Sequence, residues 1–150
     1  MQAKRPACIH AIDEVAKLAS PRFINPILAT MPEPTASSKL SAAQYSQLTT
    51  VLLADIEATL DSWLQGDVID IDSARTGGLL EMSFPNGSKI ILNTQPPLHE
   101  VWLAARSGGF HFKYQDGRWI DTKDRREFYE ALSVCASEQA GRPLRFTAAA

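Results

Sequence analysis

The sequence predicts an α+β domain, a two-layer α/β sandwich in which an N-terminal and a C-terminal helix pack on one face of an antiparallel sheet. Three observations lead there: an apolar stripe at helical spacing after Ser41, short alternating runs from Val68 to Ile120, and a second helical stripe after Asp124. Each stripe and each one-sided strand has one face to bury, and placing both helices on the same side of the sheet is the simplest way to bury them all. A chain of 150 residues with 45% apolar content suits a single domain.

Residues 1–40 stand apart from that plan. They hold Pro6, Pro21, Pro26, Pro32 and Pro34 and close on the polar run PEPTASSK. Proline lacks an amide donor and restricts its predecessor, so little regular structure is expected beyond a short helix near Ile12–Ala19. A flexible arm, a transit peptide (Lys4, Arg5, Lys17 and Arg22 are basic, but Asp13 and Glu14 interrupt the pattern) and a start-site artefact ahead of Met31 all fit. We read 1–40 as a disordered extension and 41–150 as the folded domain.

The first helix opens at Ser41-Ala42-Ala43-Gln44, a capping box, with Leu40 and Tyr45 at the positions of a hydrophobic staple. Tyr45, Leu48, Leu52, Ile56, Leu60 and Trp63 form its stripe, and Gly66 is the natural stop. Ile69 and Ile71 alternate with Val68, Asp70 and Asp72 as a half-buried strand. Leu80-Met82-Phe84 and Ile90-Leu92 follow, joined through Pro85-Asn86-Gly87-Ser88. A two-residue Asn-Gly turn would set the two apolar rows on opposite faces. A three-residue loop with Gly87 left-handed pairs Leu80 with Leu92 and Met82 with Ile90, and is the expectation. Val101 and Leu103, then Phe110 and Phe112, are the next inward sets, and Asp116-Gly117 turns the chain into a strand at Arg118–Ile120. A capping box at Asp124-Arg125-Arg126-Glu127 opens a helix presenting Phe128, Ala131, Leu132 and Cys135 and ending at Gly141.

The charge is unevenly spread. From Ala54 to Ser73 the chain carries Asp55, Glu57, Asp61, Asp67, Asp70 and Asp72 and no Lys or Arg. Such crowding costs stability unless a metal ion, a basic partner or solvent compensates it. It argues against nucleic acid as the partner of this half. Glu57 and Asp61, four apart, leave the helix on the side away from its stripe, and Asp55 lies nearer the stripe's edge. On the open sheet face, parity places Asp70, Asp72, Glu81, Ile91, Asn93, Gln95 and Trp102. A Trp on a polar open face is either a binding anchor or a ring packed under a loop, and parity alone leaves both readings standing.

The stretch GSKIILNTQPPLHEVWLAARSGGFHF, Gly87 to Phe112, resembles the frataxin family, in particular its bacterial CyaY branch. The run Asn93-x-Gln95-x-Pro97, then Val101-Trp102-Leu103-Ala104, then Gly108-Gly109-Phe110-His111-Phe112 carries the likeness. Leu60-Asp61-Ser62-Trp63, Asp70-Ile71-Asp72 and Gly77-Gly78 fit in order and spacing, and the likeness spans Ser41 to Phe146. The resemblance implies this same frataxin-like fold and an iron-binding accessory and regulator of iron–sulfur cluster assembly. It implies docking on a cysteine desulfurase through an acidic ridge, and work with the iron–sulfur scaffold protein. It also implies a monomer, with an iron-dependent oligomer as the alternative, in the bacterial cytoplasm in preference to a mitochondrion. Glu57, Asp61, Asp70 and Asp72 match ridge positions, with Asp67 beside them in the connecting turn. Those five are the candidate metal ligands, for weakly bound iron as Fe2+ or Fe3+. Asn93, Gln95 and Trp102 are the candidate partner-binding residues. Ala58, Ser62, Leu64 and Ala74 depart from the pattern, standing where close bacterial relatives often carry another acid.

Carboxylate oxygens are hard ligands that suit iron, manganese, calcium and magnesium alike, and exposed pairs of them bind weakly. The residues alone favour a solvated face over a metal site; the resemblance reverses that order. Cys8 and Cys135 form no C-x-x-C and indicate neither a zinc site nor a disulfide framework, and His99 and His111 lack ligand spacing. No run approaches the roughly 18 apolar residues of a membrane helix. No nucleophile–base pair, phosphate loop or HExxH motif is present, so no catalytic residue is assigned and the expectation is a protein that is not an enzyme. The alternatives are a ferroxidase or iron-storage protein, and an acidic protein-binding module with incidental metal binding.

Overall fold

Six strands in a plain antiparallel meander carry one helix before them and one after, in a computed structural model that describes residues 39–150. The expected disorder of residues 1–40, and the short helix near Ile12, lie outside the described residues apart from Lys39 and Leu40. The elements are α1 (Ala42–Gln65), β1 (Asp72–Thr76), β2 (Leu79–Ser83), β3 (Lys89–Gln95), a 3-10 turn (Pro96–Leu98), β4 (Glu100–Ala105), β5 (Gly108–Gln115), β6 (Arg118–Asp121) and α2 (Phe128–Ala140).

α1 begins where its capping box places it. The Ser41 hydroxyl accepts from the Gln44 amide at 3.2 Å, and the Gln44 side chain accepts from the Ser41 amide at 2.9 Å. The predicted stripe is buried at Tyr45, Leu52, Ile56 and Leu60, and Thr49 and Leu53 widen it. The inward rows of the sheet (Leu80 and Met82, Ile90 and Leu92, Val101 and Leu103, Phe112) share one core with both helices, which therefore lie on the same face. The hairpin register is the expected one: Leu80 stands opposite Leu92 and Met82 opposite Ile90. Phe84 donates its amide to the Ser88 carbonyl around a three-residue loop, with Gly87 at φ 82°.

Two expectations are corrected. β1 starts at Asp72 and not at Val68. Continuing its register would set Ile71 against Phe84 and Asp70 against Pro85, where β2 is already turning and Pro85 has no amide to offer. Ile71 is instead buried outside the ladder, and the Val68 carbonyl accepts from the Arg142 guanidinium. Gly66 stops α1 as expected, at φ −90°, and the left-handed residue of the turn is Asp67, at φ 52°. The second correction is the start of α2, which is Phe128 with Glu127 as its N-cap. Asp121, almost wholly buried, accepts from the amides of Lys123 and Asp124 and so takes the Asp124 amide that Glu127 would have to accept from in a capping box. Arg125, at φ 66°, then breaks helical geometry before Glu127 caps it.

Gln139 fastens one end of the molecule. Its side chain accepts from the Arg106 amide at 2.9 Å and donates to the Ser88 hydroxyl and the Lys89 carbonyl at 3.0 and 3.1 Å. Its own carbonyl accepts from the Asn86 side chain. One buried amide thus ties the last turn of α2 to the β2–β3 and β4–β5 loops.

Candidate functional site: an acidic edge and an aromatic sheet face

The acids follow the chain along one border of the domain: Glu57 and Asp61 on α1, Asp67 and Asp70 in the connection, Asp72 at the start of β1. Asp61, Asp67, Asp70 and Asp72 are exposed, and no hydrogen bond or ion pair to another described residue engages their side chains. Glu57 differs from the expectation of unpartnered acids. It sits 3.0 Å from the guanidinium of Arg75, whose Nε also donates to the Gly77 carbonyl at 3.4 Å. Register explains the contact: Arg75 faces Leu80, so it lies on the helix side of an edge strand, beside α1. Asp55 is not part of the border set. Its carboxylate accepts from the Tyr129 hydroxyl at 3.2 Å and faces α2.

No three His, Cys, Asp or Glu side chains among the described residues come together to hold one ion. The donors present are carboxylate oxygens in ones and twos. That set suits a loosely held, largely hydrated hard cation and not an enclosed centre.

The other half of the site is the sheet face away from the helices. Asn93, Trp102 and His111 stand side by side across β3, β4 and β5, and Gln95, Glu100 and Lys113 form the next row. Trp102 is half-buried on this open face, on the side away from α2, and lies flat on His111 with ring centroids 4.4 Å apart and planes 11° apart. Its indole N–H donates to Glu100 at 2.8 Å. Glu100 is only 9% exposed. Its other oxygen is 3.5 Å from the Lys113 ammonium, and His111 Nδ1 is 3.8 Å from the first. Parity found Trp102, Asn93 and Gln95. Glu100, His111 and Arg75 were missed as members, although strand parity already put Glu100 on the face of Trp102 and Arg75 on the side of α1.

The remaining candidates are structural. His99, at φ 50°, ends the 3-10 turn and stacks on Tyr45, with centroids 5.0 Å apart. Burial pushes the Cys135 thiol up from its ordinary range, so it is a poor nucleophile at neutral pH. A groove of about 910 Å3 runs between α2 and the C-terminal segment, and a hollow of about 330 Å3 lies beside the start of α1. None of the eight predicted site residues lines either one. The site is a surface. No helix among the described residues is long and apolar enough to cross a membrane.

Comparison with known proteins agrees with the fold. The sequence model of the frataxin-like domain family matches residues 38–142. A protein of Polaromonas sp. named as the iron–sulfur cluster assembly protein CyaY is 48% identical over 105 residues, 70% of this chain and 90% of that protein. The protein of the same name from Burkholderia mallei is 46% identical over 109 residues, 73% of this chain and all of that one. Among solved structures, a frataxin from Psychromonas ingrahamii superposes with a TM-score of 0.64 at 34% identity, covering 71% of this chain and 98% of the other. Family model, relatives and solved structure thus agree over most of the chain, and the chain belongs to the frataxin family.

Proposed function

We propose that this protein is an accessory and regulatory factor of iron–sulfur cluster assembly. In this reading it docks on a cysteine desulfurase through its acidic border, and it meets the scaffold protein with the Trp102 face. Iron is cargo, held weakly by Asp61, Asp67, Asp70 and Asp72, with Glu57 joining only when it leaves Arg75. The names of the Polaromonas and Burkholderia relatives support the pathway. The observation that carries the proposal is the pairing, on one domain, of an exposed acidic border with a braced aromatic on the open sheet face. The border steers a basic partner over a distance, and the aromatic supplies contact energy once the partner arrives. The same reading places the chain in the bacterial cytoplasm, acting without a catalytic residue of its own.

Binding to purified cysteine desulfurase and scaffold, measured across a salt series, tests this. Neutralising Asp61, Asp70 and Asp72 together should flatten the salt dependence of desulfurase binding. Trp102→Ala should weaken scaffold binding by about 2 kcal/mol or more, with the salt slope unchanged. An anaerobic ferrous titration should perturb amides near Asp61, Asp67, Asp70 and Asp72, with little oxygen uptake on subsequent exposure to air. Binding to neither protein, or stoichiometric oxygen consumption, would overturn the assignment.

A further inference from the structure

Trp102 is held at two points, a stacked face and a hydrogen-bonded edge. Its face lies on His111 from β5, and its edge is hydrogen-bonded to Glu100 from its own strand, two residues earlier and therefore on the same sheet face. A carboxylate as covered as Glu100 is costly unless donors come to it. Three groups face it: the indole N–H at 2.8 Å, the Lys113 ammonium at 3.5 Å and His111 Nδ1 at 3.8 Å. Asn93 and Gln95, its other neighbours on the face, are neutral. Lys113 stands directly across the ladder from Glu100 and balances its charge, so the carboxylate presents the indole with an acceptor and leaves little net field on the face.

We propose that Glu100 is the positioning residue of the docking surface: it fixes the indole of Trp102 in the orientation a partner meets, with His111 as the second half of the brace. The proposal rests on the reading of Trp102 as an anchor. An aromatic that is already immobile loses less freedom on binding than one that is free to turn, which is worth on the order of 2- to 10-fold in affinity for one side chain. Glu100 need not touch the partner to exert this effect.

The test uses the full chain with purified scaffold protein, Trp102→Ala as the reference variant, and three further substitutions. Glu100→Gln keeps an oxygen acceptor of the same reach and removes the charge; Glu100→Leu removes the acceptor; His111→Ala removes the stacked face. The readouts are the Trp102 indole N–H resonance, its exchange with solvent, and the dissociation constant. Glu100→Gln should keep the resonance protected and the affinity within about twofold. Glu100→Leu should move the resonance, speed its exchange, and weaken binding about 5-fold, while amides remote from the face keep their shifts. His111→Ala should weaken binding in the same direction with the indole hydrogen bond still in place, which keeps the proposal testable if the leucine variant does not fold. Unchanged affinity in both Glu100→Leu and His111→Ala, alongside a clear loss in Trp102→Ala, would overturn the brace and leave the anchor standing. A loss in Glu100→Gln as large as in Glu100→Leu would make Glu100 a charge contact and overturn the positioning role. No effect of Trp102→Ala would remove the anchor reading and the brace with it.

Discussion

Replacing Arg75 with glutamine should make the domain slightly less stable and its acidic border a better cation binder. The Arg75–Glu57 pair is 3.0 Å long, with each side chain about 30% exposed. A pair so placed is worth about 0.2–1 kcal/mol. Its loss also leaves Glu57 facing Asp61 one helical turn away, a repulsion of about 0.3–0.5 kcal/mol. Together these amount to about 1 kcal/mol, or about 5 °C in melting temperature for a domain of this size. The same removal withdraws a resident cation from Glu57, so a divalent ion no longer has to displace it. A competitor worth about 0.5–1 kcal/mol lowers affinity about 2- to 5-fold, and its removal should restore that factor. Melts at low ionic strength, with and without manganese, read both effects: the variant should melt lower without the ion and gain more from it. Manganese broadening should extend to the amides around Glu57 and Asp61, and both differences should shrink in high salt. Equal manganese affinity in the two proteins, with no new broadening at Glu57, would refute this account of Arg75.

Gln139→Leu should cost about 3 kcal/mol in urea unfolding, because it leaves the Arg106 amide and the Lys89 carbonyl without their partner in a part-buried setting. A loss below about 1 kcal/mol would mean that water or a loop shift replaces the bonds. Alkaline stability should fall through Tyr129. Burial, then the Asp55 carboxylate beside it, raises its phenol above the ordinary value of 10.0 in the folded state. A raised folded value means the stabilisation is complete below the unfolded value and fades as pH climbs above it. Tyr129→Phe should therefore flatten the loss of stability above pH about 10; an unchanged slope would place the effect on another group.

The sheet was largely legible in the sequence because a one-residue slip would invert every inward side chain, so the alternation of Leu80-Met82 and Ile90-Leu92, with Gly87 between them, admits one register. The same parity put Trp102 on the open face. What escaped were events in which one residue intercepts another's partner. Val68–Ile71 has a strand's apolar alternation but no free ladder beside it, because β2 turns away at Pro85. Asp124 has the composition of a helix cap, but Asp121 holds its amide. Arg75 answers Glu57 across 18 residues of sequence, and Glu100 answers an indole two residues on; charge counting within a window saw neither. The acids of the border and the position of Trp102 on the open face were therefore legible as residue sets, and the groups that contact each set became visible only with the register.

Because every strand pairs with its sequence neighbour, the sheet grows in the order in which the chain leaves the ribosome. α1 precedes the sheet, and the core that buries Leu52, Ile56 and Leu60 is incomplete until Leu80, Ile90, Leu103 and Phe112 have followed. At about 5–20 residues per second, the stretch from Gln65 to Phe112 takes about 2–10 s to synthesise. Throughout that interval a bare amphipathic helix is exposed to every other nascent chain in the cell. Glu57 and Asp61 ride on its far side, and Asp67, Asp70 and Asp72 arrive immediately behind it, before Arg75 is made. In the unfinished chain the acidic border is thus a run of negative charge with no base between Ser41 and Ala74, and its repulsion opposes the pairing of one bare helix with another.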